Sequence, residues 1–193
     1  MQAIIPLVDK GLLTNGTWIR QHDYKNVEWL LQGCKKEPLG KKRKEYECDV
    51  AFVGSIYGIR AIFVDALKEK YGDRFKTFSS AFGRDFNDLC VSAKIIVSPK
   101  FPSSDWFWSN RIYKVLGAGG FLIHPYCEGL EKHYTSGVHY ESYEDQTELF
   151  MKIDHYLKNE KDRKEIATAG YEKSIKSHTY TNRAKKLIKK LCL

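Results

Sequence analysis

From Asp49 onward, short apolar runs alternate with amphipathic segments. This alternation constrains the chain to a parallel β-sheet covered by helices. DVAFVG (Asp49 to Gly54) reads as a buried strand, and Arg60 to Tyr71 as a helix with Ile62, Phe63, Ala66 and Leu67 on one side. FKTF (Phe75 to Phe78) is a second strand, Asp85 to Ser92 a short helix and KIIVS (Lys94 to Ser98) a third strand. A helix follows from Arg111 to Gly117, then GFLIH (Gly120 to His124) as a fourth strand, with Val138 to Tyr140 a candidate fifth. Helical spacing returns at Leu149, Phe150, Ile153 and Leu157, again at Ile166, Ala169 and Ile175, and finally at Ala184, Leu187, Ile188 and Leu191. The expected fold class is α/β, an open Rossmann-like parallel sheet with helices on both faces.

Residues 1–48 stand outside this pattern and form an N-terminal segment ahead of a domain at 49–193. Val27, Leu30, Leu31 and Cys34 predict one amphipathic helix there, while Pro6 and Asn15-Gly16 are loop and turn signals. The run KKEPLGKKRK (Lys35 to Lys44) holds Pro38 and Gly40, which makes it a basic, exposed linker into the first strand. At 193 residues the chain accommodates one well-buried core rather than two full domains. It has no apolar run long enough to span a bilayer and no secretory leader, and its five cysteines are scattered without a CxxC pair. A cytoplasmic location with reduced thiols is the expectation. The net charge of +8 is concentrated in the linker and in Lys185, Lys186, Lys189 and Lys190 of the last helix. Such runs are either solvated surface or a face for nucleic acid or an anionic membrane.

Three segments carry chemistry. In GSIYGIR (Gly54 to Arg60) a strand turns through Gly54, Ser55 and Gly58 into a helix. That turn offers backbone N–H groups and a helix dipole to phosphate, and Arg60 adds a fixed charge able to fork onto phosphate oxygens. In NRIYKVLGAGGFLIH (Asn110 to His124) Arg111 opens a helix, while Gly117, Gly119 and Gly120 permit close backbone approach of the kind that floors nucleotide pockets. In HPYCEGLEKHY (His124 to Tyr134) the turn through Glu128, Gly129 and Leu130 opens a helix whose N–H groups suit a β-phosphate. His124 reads either as a structural residue at a strand end or as an acid/base group. Trp106 and Trp108, in the loop FPSSDWFWSN (Phe101 to Asn110), offer a stacking surface for a base or sugar, or else a core or interdomain contact. In HTYTNR (His178 to Arg183), Thr179 or Thr181 caps the last helix.

Taken in order, DVAFVGS, Arg60, NRIY, GAGGFL, EGLEKHY and HTYTNR resemble the donor-binding half of a GT-B glycosyltransferase. The resemblance is to the group 1 and spore-maturation-type family, and runs from about Asp49 to Leu187. It implies one half of a GT-B fold binding a nucleoside-diphosphate sugar as substrate, without a metal or other cofactor. Arg60 and Arg111 would be the catalytic residues, and Gly54, Ser55, Lys114, Gly119, Gly120, His124, Glu128, Gly129 and Leu130 the donor-binding ones. Acceptor recognition would come from a partner domain or a homo-oligomer. Two positions depart from the family pattern: Lys114 stands where a ribose-binding Glu is usual, and Phe107 where a sugar-binding acid is usual. Lysine cannot accept a hydrogen bond. Three readings stay open: the ribose is held by Glu128 or a backbone carbonyl, Lys114 contacts phosphate, or donor binding is lost. The last leaves a nonenzymatic docking or regulatory module, and the basic surface leaves nucleic-acid binding, as alternatives.

Overall fold

The computed structural model describes residues 8–22, 24–100 and 105–191; Pro6, Cys192 and the first four residues of the tryptophan loop lie outside them. In the N-terminal segment β1 (Gly11–Leu13) and β2 (Val27–Trp29) pair in parallel, with α1 (Gly16–Gln21) between them. The main unit then runs β3 (Cys48–Val53), α2 (Ile59–Tyr71), β4 (Phe75–Phe78), α3 (Arg84–Ser92), β5 (Ala93–Val97), α4 (Arg111–Gly117), β6 (Leu122–Pro125) and β7 (Glu141–Tyr143). It closes with α5 (Gln146–Lys158), α6 (Glu160–Ser177) and α7 (Tyr180–Leu191).

The five strands form one parallel sheet in the order β4-β3-β5-β6-β7. Alternation along β3 explains why helices cover both faces. Ala51 and Val53 point into a core shared with α3 and α4, and Val50 and Phe52 into one shared with α2 and α5. From β3 the chain steps outward to β4, then crosses back to β5 on the other side. The crevice beyond the carboxyl ends of β3 and β5 is therefore the topological switch point, where open α/β sheets take their ligands.

Several sequence expectations are corrected. The predicted helix through Val27 to Cys34 is instead the strand β2 followed by extended chain, because these residues pair with β1 and dock along His178 to Tyr180. The helix of this segment lies earlier, at α1, where the Asn15 side chain accepts the Trp18 N–H at 2.9 Å. The fifth strand falls at Glu141–Tyr143 rather than Val138 to Tyr140, since it is Glu141 that registers with Ile123. On α2 Leu67 is fully buried and Phe63 packs against the core as the spacing suggested, while Ile62 is 71% exposed and Val64 and Tyr71 are buried in addition, so the packed face is shifted from the expected one. After β6 only a single 3-10 turn, Leu130–Lys132, forms where a helix was expected.

The basic linker is exposed but not loose. Its Lys41 N–H donates to Asp88 at 2.8 Å, its Arg43 N–H donates to the Ser92 hydroxyl at 2.9 Å, and Arg43 pairs with Asp85 at 3.0 Å. Gly40 lies so close to the Asn87–Asp88 backbone that a Cβ there would sit 2.3 Å from Asn87. These ties hold the linker along α3 and close the first core from one side.

Candidate functional site

At the switch point the chain assembles a positive crest. Gly54 ends β3 with φ +141°, a backbone conformation open to glycine, and its N–H donates to Phe78 O at 2.8 Å. A Cβ here would meet the Arg111 guanidinium at 2.9 Å, so the glycine makes room for that side chain. Arg111 begins α4 and reaches across the crevice. Its Nη2 donates to Val53 O at 2.8 Å and its Nη1 to the Ser98 hydroxyl at 3.4 Å, while its plane lies 5.1 Å over the Phe52 ring. One side chain thus bridges the ends of β3 and β5.

The electrostatics of Arg111 are unusual. Among the described residues no carboxylate forms an ion pair with it, and burial pushes its pKa down to about 10, with the neighbouring Arg60 charge adding to the shift. A half-buried guanidinium without a counter-charge is costly by itself and favours an incoming anion. Arg60, one residue into α2, donates to Ser55 O at 3.2 Å and stacks 4.7 Å over Tyr57. Gly54, Ser55, Arg60 and Arg111 are therefore brought together.

His124 closes the crest at the end of β6. It is buried, its Nδ1–H donates to Pro125 O at 2.8 Å, and so its Nε2 carries the lone pair. Burial pushes its pKa down to about 4, and the Arg111 charge acts in the same direction. It is a neutral imidazole at pH 7. Ser98 and Tyr143 were not singled out from sequence. Tyr143 donates to Ser98 O at 2.6 Å and fixes the loop that presents the Ser98 hydroxyl to Arg111. Their signal was faint: small or aromatic polar residues at the carboxyl ends of strands that become neighbours only through the sheet.

Other predicted site residues lie elsewhere. Gly119 and Gly120 precede β6 at the opposite, amino edge of the sheet. Gly119 shares a cleft with Cys48, Asp49, Ala93 and Lys94, and a Cβ on Gly120 would sit 2.9 Å from Val115 and 3.1 Å from Cys90 O. Gly120 admits the packing of α4 and Gly119 that of Leu39 in the linker, 2.6 Å from where its Cβ would be; neither lies at the crest. The Gly129 N–H donates to Glu131 at 2.8 Å and the Leu130 N–H to Cys127 O at 3.1 Å, so both amides are already engaged. Glu128 is exposed, and its carbonyl accepts the Trp106 N–H at 2.9 Å. Lys114, one turn beyond Arg111, is exposed on a separate cleft of about 310 Å³ that is also lined by Cys34, Phe82, Phe86 and Tyr180.

The two tryptophans join the N-terminal segment to the sheet. Trp106 O accepts the Gly16 N–H at 2.9 Å, and the Trp106 ring lies between Arg20 at 4.2 Å and Lys132 at 4.3 Å. Trp108 is buried, donates to Tyr113 Oη at 2.9 Å and packs edge-on against Trp29. Neither ring offers an open stacking face at the crest. From the other side, the Cys34 N–H donates to His178 O, the Tyr180 N–H donates to Cys34 O, and Arg183 Nε donates to Gln32 O at 3.0 Å. Thr179 Oγ1 accepts the Asn182 N–H at 3.1 Å and caps α7.

Among the described residues no group of three or more histidine, cysteine or carboxylate side chains is placed to hold a metal ion, and no helix is long and apolar enough to cross a membrane. Comparison with known proteins was made at three levels. A family described as glycosyl transferase-like matches residues 60–189. No curated protein matches the sequence. Among solved structures, HepE of Anabaena in complex with UDP-glucose superposes with a TM-score of 0.76 at 12% identity, over 99% of this chain and 66% of that one. A glycosyltransferase from Rickettsia africae gives 0.71 at 13% identity, over 98% and 66%. Sucrose-phosphate synthase from Thermosynechococcus elongatus gives 0.71 at 14% identity, over 96% and 58%. At such identities the likeness is one of fold, and the chain spans about two thirds of the length of the first structures it matches.

Proposed function

Because the chain belongs to the glycosyl transferase-like family, and has the Rossmann-like α/β fold of GT-B glycosyltransferases, we propose that it binds a nucleoside-diphosphate sugar at the crest of Gly54, Arg60 and Arg111 and transfers the sugar to an acceptor. One observation carries this reading: Arg111, at the switch point, is half-buried without an ion-pair partner among the described residues and shares its surroundings with Arg60. A diphosphate is an anion with enough oxygens to pair with Arg111 and reach the neighbouring Arg60. HepE, of the same fold, is solved with UDP-glucose, which supports a uridine donor as the first to test.

In this reading Arg60 and Arg111 fork onto the diphosphate and stabilise the charge that develops as the sugar–phosphate bond breaks, in place of a divalent metal. Ser98 and the Val53 carbonyl hold Arg111 in position before the donor arrives. His124, neutral with its lone pair on Nε2, lies beside them as a hydrogen-bond acceptor for the donor rather than as a further cation. Lys114 does not supply the usual ribose acceptor, so the ribose is held by other groups, with Lys114 contributing charge from the neighbouring cleft. In this reading acceptor recognition comes from a partner domain or a homo-oligomer.

A second reading has its own observations. Lys114 in the ribose position, and Gly129 with its N–H held by Glu131, are what a donor site converted to a docking module would retain. The two readings separate by calorimetric titration with UDP, GDP, dTDP and CDP, with and without magnesium. Selective binding of one diphosphate, unchanged by magnesium, is expected. Absence of binding in the starting protein, with binding gained on Lys114→Glu, would establish the docking module instead.

A further inference from the structure

The last helix is built inside out. The charged Arg183 of α7 is 6% exposed and turned inward, where it bonds to Gln32 O and to His178 Nδ1 at 2.8 Å, while Lys190 pairs with Glu28 of β2. The apolar side chains face away from the body. Tyr180 is 47% and Ile188 59% exposed, Ala184 is exposed and Leu187 only half-buried. At spacings of four, seven and eight residues these form one continuous stripe along the helix.

Charge says what covers that stripe. Tyr180–Leu191 contains no acid; Lys185 flanks the stripe, and Lys186 and Lys189 are exposed on the polar face behind it. The stripe also continues sideways: Tyr180 lines the cleft that holds the 76% exposed Phe82 together with Lys114 and the Lys35–Glu37 ion pair. Lys35 is already paired there, so the positive charge that borders the strip comes from the last helix and from Lys114. Nucleic acid would use the lysines and leave the apolar residues in water. A polypeptide surface would use the apolar residues without calling for a polar face whose charges are all positive. An interfacial helix uses both, with apolar side chains sunk at the acyl boundary and lysines among anionic headgroups.

We propose that α7 docks this protein onto an anionic lipid surface, lying in the headgroup plane with Tyr180, Ala184 and Ile188 toward the acyl chains. This goes beyond the nucleotide reading and does not depend on it. The full chain is sedimented with vesicles of phosphatidylcholine alone and of phosphatidylcholine mixed with phosphatidylglycerol, at low and raised salt. The same is done for Ile188→Glu and for the double variant Lys185→Glu with Lys189→Glu. These side chains are exposed, and circular dichroism together with thermal melts checks that the fold is kept. Binding to the phosphatidylglycerol vesicles alone is expected, reduced by salt and by the lysine changes. Losing the isoleucine that would insert at the acyl boundary should cut partitioning by at least about tenfold in Ile188→Glu.

Three outcomes overturn the proposal. One is no binding to phosphatidylglycerol vesicles at low salt. Another is binding that Ile188→Glu leaves unchanged, which would make it charge attraction without insertion. The third is a self-associated starting protein, seen by light scattering, that Ile188→Glu converts to monomer without any lipid binding; that would assign the stripe to a second copy. Vesicle binding without nucleotide binding would leave this proposal standing and remove the donor reading.

Discussion

Arg111 is the residue on which the site turns, and its environment separates stability from binding. Replacing it with methionine removes a half-buried charge that has no ion-pair partner among the described residues, while keeping much of its volume. Arg111→Met is therefore expected to leave the thermal midpoint unchanged or raised, while UDP affinity falls by more than about tenfold, the worth of a charge-assisted hydrogen bond. Gly54→Ala should do harm on both counts. It puts a Cβ 2.9 Å from the guanidinium at φ +141°, and such strained positions cost roughly 1 to 3 kcal/mol, readable in a urea unfolding curve. His124 gives the fold an acid limit. Its folded pKa of about 4 lies below the ordinary 6.5, so the unfolded chain takes up the proton first as pH falls. Stability is therefore full above pH 6.5 and is lost between 6.5 and 4, by about 3 kcal/mol from this residue. Unfolding measured across that range should show a shallower loss in His124→Asn. His133 and His178, pushed down to about 4 and about 3, chiefly by burial and then by Arg183, contribute in the same direction. Gly54, Arg60 and Arg111 were legible in sequence because a glycine after a buried strand and arginines at helix starts are local signals. Ser98 and Tyr143 were not, because only the parallel register makes them neighbours of Arg111.

Among the elements, the central strands were the easiest to read. β3 and β5 are short, largely buried apolar runs whose location needs no partner to be known, and they and the edge strand β4 each lie within a residue or so of their expected bounds. The errors arise where partners decide. Val27 to Cys34 has helical spacing, yet β1 on one side and the His178 to Tyr180 chain on the other offer it hydrogen bonds as an extended segment. The stripe on α2 was real and Leu67 of it is buried, but the sheet takes Val64 and Tyr71 beside it and leaves Ile62 exposed. The glycines after α4 looked like a ligand floor because close approach was needed there. What approaches is the protein itself: a Cβ at Gly117 would sit 2.6 Å from the Cys34 Cβ. Gly117→Ala is accordingly expected to cost roughly 1 to 3 kcal/mol by overpacking and to loosen the N-terminal segment from α4. Hydrogen exchange at the Cys34 amide, now bonded to His178 O at 3.0 Å, should quicken well beyond the change in global stability.

For the molecule as a whole, two layers are held to one another by polar clamps and aromatic edges. The five-stranded sheet carries the crest, and the N-terminal pair β1–β2 is tied to it through Trp106, Trp108, His178 and Arg183. Arg183→Ala is expected to release this junction, lowering the midpoint of unfolding while leaving the crest on the far side of α4 able to bind nucleotide; thermal melts and UDP titration together check it. The order of motifs along the chain made the whole fold legible even where single motifs were soft, since a parallel α/β sheet places consecutive strand ends in one row. The balance of charge was less legible. Runs of lysine looked like solvated surface, and only the outward turn of Ile188 and Tyr180 shows that one run borders an apolar strip.

The central claim is that the crest at the switch point is a diphosphate site. The most direct test is the dissociation constant for UDP, measured by calorimetry on the starting protein and on Arg60→Ala, whose side chain lies on the crest without supporting the core. Binding that weakens by at least about tenfold in the variant is the predicted result. UDP binding of equal strength in both proteins, or none in either, would contradict it.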